Sequence, residues 1–306
     1  FGHEYAPGIT AGDDIFTVMS SDIFRGSAFA LGYVNPDNLR GMNVWSDMYK
    51  VIRKANLMLA RMDECQDMTA LDRRNYTGYI HFLRGYAYYH ILMTCGPAIL
   101  VGDEIFESNL DGPAYNTYRA TYDETVEYIC SELETAAAYL PLKASIAQFE
   151  RPTKGAAYAL IARLRLHAAS PLFNGTSTAR LYFGNWKRTY DKAYYINQNY
   201  SEEKWALAAA ACKRVIDMNV YELFTVSKDQ NTPQLPAGVP TENFPNGAGG
   251  IDPFKSYSHM FTGDEPFKNN NEVIWGRISE EVKGYTQQSF PQYMGGYNGC
   301  LLYTSD

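Results

Sequence analysis

Two adjacent carboxylates, Asp13 and Asp14, and the helical histidines His81, His90 and His167 are the residue types in this chain suited to acid–base or metal chemistry. A glycosidase needs two carboxyl groups facing each other across the scissile bond. Neighbouring acids in a Gly-rich stretch supply no such separation and read as a solvated turn. None of the three histidines has a partner at ligand spacing, so packing accounts for them. The sequence contains no His-Glu-x-x-His, no Gly-x-Ser-x-Gly, no Walker loop and no dinucleotide Gly pattern opening a helix. The five cysteines at 65, 95, 130, 212 and 300 are widely spaced, without a Cys-x-x-Cys, and the four in helical patterns read as buried free thiols. No catalytic residue, metal ligand or cofactor is assigned.

What the chain holds in excess is flat aromatic surface, with 25 Tyr, 15 Phe and 4 Trp. Tyrosine combines an apolar face with a polar tip. That suits half-wet helix packing, and it suits sugar rings, whose C–H faces lie on aromatic planes while Asn, Asp, Gln or Arg take the hydroxyls. The candidate ligand-facing residues are Phe29, Tyr33 and Asn35 in a weakly periodic N-terminal region. Further along come Trp186, Tyr190 and Tyr194, with Asn185 and Asn197 nearby, then Phe254 and Tyr257, with Asn269 to Asn271. Packing onto a scaffold explains any one of these rings but not all of them.

A net charge of −7, from 27 basic and 34 acidic residues, argues against a nucleic-acid partner, and no Lys/Arg run opposes that reading. With 46% apolar and 20% charged residues the composition is that of a globular protein. No stretch of about 18 apolar residues is present to span a bilayer.

The elements that must position the aromatics are helices. Arg151 to Gly175, RPTKGAAYALIARLRLHAASPLFNG, starts with Thr153 as N-cap and sets Ala157, Leu160, Ile161, Leu164 and Ala168 on one face. Four alanines and a glycine between 155 and 162 keep the helix thin, and Pro171 stops it. Upstream, Trp45, Met48, Tyr49, Ile52, Asn56, Leu59 and Met62 form one stripe. A helix over about 70–95 carries Tyr79, Leu83, Tyr86, His90 and Met93 on one face, closed by Gly96 and Pro97. Thr121 and Glu124 make a capping box ahead of Val126, Ile129, Leu133, Ala136 and Leu140. A last helix over about 202–219 turns Trp205, Ala208, Ala209, Cys212, Val215 and Ile216 inward, and Glu272 to Trp275 reads as a short strand or buried segment.

Helix starts near 121 and 153 lie 32 residues apart, an interval typical of tetratricopeptide-type hairpin arrays. The expected class is all-α: a tetratricopeptide-like helical-hairpin scaffold over about 43–95, 121–170 and 202–219. Long irregular ligand-binding insertions fill about 1–42, 97–120, 171–200 and 228–271.

Five phrases in register resemble the SusD/RagB family of surface glycan-binding lipoproteins. They are WSDMYKVIRKANLML (45–59), FLRGYAYYHILMTCGPAIL (82–100), the 151–175 stretch, WALAAAACKRVIDMNVYEL (205–223) and NNEVIWGR (270–277). The resemblance implies one SusD-like domain over 1–306, incomplete at both ends, with Trp45, Arg84, Tyr86, Thr153, Lys154 and Trp205 as structural residues. It implies no catalysis. It also implies an outward-facing place on the outer membrane, through an N-terminal lipid anchor absent from this chain, and a SusC-like TonB-dependent transporter as partner to the glycan ligand. The closing CLLYTS (300–305) matches one reading frame of a transposon-based sequencing adapter and is expected to be foreign to the native protein. An α-helical glycoside hydrolase and a tetratricopeptide-type adaptor for protein partners are the alternatives.

Overall fold

The computed structural model describes residues 25–35, 37–39, 43–107, 109, 111–115, 117–145, 148–262 and 270–276. Asp13, Asp14, Asn269 and Cys300 to Ser305 lie outside them. The chain divides into two compact units, one of residues 1–47 with 277–306 and one of residues 48–276.

In the first unit, α1 (Arg25–Ala30) ends where Gly32 enters the left-handed region at φ 72°. The Tyr33 amide donates to the Ala28 carbonyl at 2.8 Å and the Gly32 amide to Phe29 at 3.0 Å, a Schellman closure. The helix α2 (Trp45–Arg61) begins here, its Trp45 amide capped by the Asn43 side chain at 3.0 Å, and carries the chain into the second unit.

The second unit is an antiparallel stack of helices: α2, α3 (Ala70–Cys95), α4 (Tyr122–Tyr139), α5 (Lys154–Ala169) and α7 (Glu202–Asp217). Inserted between the last two is the short α6 (Ser177–Phe183). Three contacts fix α2 against α3. Tyr49 meets Tyr88 edge-on, Asn56 accepts from Arg84, and Thr77 lies against the Met62 sulfur. Bulky Met58, Leu59 and Met68 fill in around Ala55, Met62 and Ile80, so these two backbones stand apart. On its other side α3 approaches α4 closely, because Gly78 and Gly85 leave room for Leu140 and Leu133. The helix α5 packs between α4 and α7, and its buried Gly155, Ala156, Ala157, Ala162 and Ala169 admit both neighbours. The starts of α4 and α5 lie 32 residues apart, matching the hairpin interval.

The helix caps stand where the sequence predicts them. Thr121, Thr153 and Gly96 cap where predicted, and Thr121 and Glu124 complete the capping box. Two predicted faces are corrected. On α3 the most deeply buried residues are Ile80, Phe82, Arg84, Ala87, Tyr88, Ile91 and Leu92, whereas Leu83 is exposed. This helix is covered on two sides, so one stripe could not describe it. On α5 the predicted face is buried at Ala157, Ile161, Leu164 and Ala168, with Gly155, Ala156, Ala162 and Ala169 buried beside it. On α7 only Ala208 is buried; Trp205, Ala209, Cys212 and Ile216 face solvent. Among the cysteines, Cys130 is buried, with its thiol pushed up to about 12 by desolvation, but Cys65 and Cys212 are exposed.

Beyond α7 the chain forms a two-residue antiparallel pairing of β1 (Val226–Ser227) with β2 (Ile251–Asp252), then α8 (Pro253–Thr262). Residues 270–276 form a half-buried strap without strand pairing. Trp275 donates its indole N–H to the Glu150 carbonyl at 2.7 Å and wedges edge-on against Phe82 and Tyr86.

Candidate functional site

The segment after α6 folds back on itself as a small β-hairpin-like excursion. The Tyr195 amide donates to the Trp186 carbonyl at 3.1 Å and the Arg188 amide to Ala193 at 2.8 Å, with Lys187 opposite Tyr194. Alternation along a strand then gives the excursion two faces. Trp186, Arg188 and Tyr195 turn toward the helices. The Trp186 ring lies over Gly96 and packs on Tyr195 at 4.7 Å, continuing an aromatic column through Phe183 and Phe173 to the buried Tyr122. Lys187 and Tyr194 turn outward, the ammonium 4.3 Å from the ring centroid.

The first turn of α4 anchors this excursion. Glu124 accepts from the Thr121 amide at 2.6 Å and from Arg188 Nη1 at 2.8 Å, so one carboxylate serves both the helix cap and the hairpin. Burial works against its charge, but the Thr121 amide and the Arg188 guanidinium outweigh it and hold the carboxyl below the usual range. Beside it, Asp123 accepts from Lys204 Nζ at 2.6 Å, tying in α7, and the Tyr122 amide donates to the Tyr195 carbonyl at 2.7 Å. Acidic groups at a helix N-terminus are stabilised by the free amides there.

At the tip, Arg188 Nη2 also grips Asp191 at 2.7 Å and holds that carboxyl low, and the guanidinium lies 5.1 Å over Tyr190. Tyr190 meets Tyr118 from the 117–121 segment, ring centroids 4.4 Å apart and tilted 50°. Both are open to solvent, Tyr118 at 58% and Tyr190 at 56%. Lys192 takes a left-handed backbone at φ 62°, unusual for a residue with a side chain. Two exposed tyrosines in contact at an angle offer outward aromatic faces on which a flat, C–H-rich ring can stack.

The candidate residues read from the sequence thus fall into three places. Trp186, Tyr190 and Tyr194 share the hairpin, where Trp186 is mainly a packing wedge and Tyr190 is displayed. Phe254 and Tyr257 lie one turn apart on α8, both exposed. Phe29 and Tyr33 are exposed in the first unit. Asn35 spends its side-chain oxygen on the Asp37 and Asn38 amides, at 3.0 and 2.9 Å, as a turn former. Tyr118 was missed, because a lone tyrosine in an irregular segment carries no signal of the ring it meets 72 residues on. Of the residues expected to be structural, Arg84 is buried and Thr153 caps α5, but Trp205 stands on the open face of α7.

A groove of about 380 Å³ lies between α4, α5 and α7, lined by residues that include Glu127, Glu134, Tyr158, Arg165, Leu207 and Arg214. Arg165 pairs with Glu127 and Arg214 with Glu134, and Arg214 lies 3.7 Å over Tyr158. Its charged groups are therefore engaged with one another. Among the described residues no group of three His, Cys, Asp or Glu side chains converges as a metal site, and no helix is long and apolar enough to cross a membrane.

Residues 15–166 match a SusD-like family described as starch-binding and associating with the outer membrane. No curated protein matches the chain. Among solved structures, the protein named BT4246 superposes with a TM-score of 0.64 at 22% identity, over 83% of this chain and 43% of that one. A SusD-like protein from Bacteroides fragilis NCTC 9343 gives 0.58 at 20% identity, over 88% and 40%. A laminarin-binding SusD-like protein gives 0.50 at 20% identity, over 77% and 41%. The chain spans less than half the length of each of these structures. Over residues 15–166 the chain is thus similar to a SusD-like family, and its helical scaffold shares the fold of the solved SusD-like proteins.

Proposed function

We propose that this chain belongs to a non-catalytic protein that captures oligosaccharide or polysaccharide at the cell surface. In this reading the parent protein faces outward on the outer membrane through an N-terminal lipid, and hands its ligand to a SusC-like TonB-dependent transporter. The observation that carries the reading is the exposed Tyr118–Tyr190 pair, on a hairpin anchored through Arg188 to Glu124 and outside the helical core. The family's description as starch-binding and the laminarin-binding relative supply the ligand class.

Affinity electrophoresis through gels containing a panel of polysaccharides tests it directly. We expect retardation by at least one polymer, weakened about threefold to tenfold by Tyr190→Ala or Tyr118→Ala, the range of one aromatic contact. The same incubations should release no reducing ends. Hydrolysis by the pure protein would overturn the reading in favour of a glycoside hydrolase.

The groove between α4, α5 and α7 favours one second reading, a tetratricopeptide-type adaptor that seats a protein partner on its helix faces. Leu207→Glu, which places a charge in that groove, separates the two. Glycan retention unchanged by Leu207→Glu and weakened by Tyr190→Ala supports capture at the hairpin. The opposite pattern supports the adaptor.

A further inference from the structure

The basic residues of the hairpin are more numerous than its acids. Arg188 takes up both neighbouring carboxylates, Glu124 and Asp191. Lys187 and Lys192 are exposed, and among the described residues neither has a carboxylate partner. Lys187 lies over the outward ring of Tyr194, and Lys192 donates to the Thr189 carbonyl at 2.8 Å. In a chain of net charge −7, this outward surface of open aromatic rings therefore also presents two ammonium groups without a carboxylate partner among the described residues. A neutral sugar gains nothing from such cations. A ring bearing a carboxylate or sulfate gains a charge-assisted hydrogen bond at the edge of the ring it stacks on. Lys192 is also held in a backbone conformation that costs energy for a residue with a Cβ, and such outliers concentrate at binding sites.

Resting on the glycan-capture reading, we propose that the outward hairpin face, Tyr118, Lys187, Tyr190, Lys192 and Tyr194, selects anionic glycans, with uronate carboxylate or ester sulfate set against the two lysines. The tyrosines supply stacking for any sugar ring. The lysines supply the preference.

The test compares retention of the chain in gels of polygalacturonate, a sulfated galactan and neutral amylose. Stronger retention by an acidic polymer, falling as salt rises, is expected. Exchanging both lysines (Lys187→Gln with Lys192→Gln) should weaken acidic retention about tenfold, since each exposed ion pair is worth up to about fivefold. The same change should leave amylose retention unaltered, whereas Tyr190→Ala weakens both. Thermal melting of each variant confirms the fold, and Lys187→Glu with Lys192→Glu must weaken acidic retention further. Equal retention by neutral and acidic polymers, insensitive to the lysine changes, overturns the preference and leaves glycan capture standing. Retention of duplex DNA equal to that of polygalacturonate also overturns it, as general polyanion attraction. Retention by no polysaccharide overturns glycan capture itself.

Discussion

Arg84 lies almost wholly out of water on α3, and its partners determine what a substitution there costs. Its guanidinium grips Glu132 at two points, both 2.7 Å, donates to Asn56 at 2.8 Å and meets Asp103 beyond. His81 donates to the same Glu132 at 2.9 Å. Removing one partner of a buried pair strands the other, so Glu132→Ala should cost about 3–5 kcal/mol in urea unfolding. Replacing both (Arg84→Met with Glu132→Leu) should cost less than that single change. Burial opposes the charge on Glu132, but His81 and Arg84 outweigh it, and the carboxyl titrates below its ordinary range. A carboxyl with a depressed folded value stabilises the fold above its unfolded value, about 4.3, and that stability is lost as pH falls through the folded value. Urea midpoints for Glu132→Gln should accordingly fall less between neutral and strongly acidic pH than those of the parent chain. Gly175 is a second sensitive point, at φ 59° with the Asn199 backbone against it, so Gly175→Ala should cost about 1–3 kcal/mol. The Arg84 network leaves no pattern in the sequence, because a charged residue inside a helical pattern looks the same whether it faces water or Glu132.

Among the elements, α4 and α7 behave oppositely. The residues predicted to face inward on α4 do so, because α4 has neighbours along its apolar stripe and its capping box fixes its start. Thr121→Ala should lower stability by about 1 kcal/mol, and Glu124→Ala by more, because Glu124 also holds Arg188. The apolar stripe of α7 (Trp205, Ala209, Cys212 and Ile216) is as regular in sequence, yet Ile216 is 73% exposed. Periodicity reports which residues share a face, not whether anything covers it. Ile216→Lys should therefore leave the thermal midpoint nearly unchanged, whereas Ala208→Leu, pressed against α5, should cost about 1–3 kcal/mol by overpacking. The short helices α1, α6 and α8 lie inside stretches read as irregular. Each is held by local caps and neighbours, too short for its period to stand out.

For the molecule as a whole, the hairpin scaffold was visible in sequence because caps, prolines and a 32-residue interval agree with one another. The arrangement of the aromatics was not. Which rings meet depends on how loops of 20 or more residues return to the scaffold, and Tyr118 reaches Tyr190 only through tertiary structure. The hairpin, its anchor on α4 and the Trp275 strap all lie within residues 48–276. A chain of residues 43–276 should therefore keep its helical circular dichroism and its polysaccharide retention. Glu124 and Arg188 divide the hairpin into an inward set of residues that cannot vary independently and an outward set that can. Trp186, Arg188 and Tyr195 are committed to the body of the protein, while positions 187, 189, 190, 192 and 194 bear no such obligation. The excursion is thus an interchangeable reading head. Ligand preference can drift in evolution, or be grafted by design, through five solvent-facing positions without disturbing the socket that holds them.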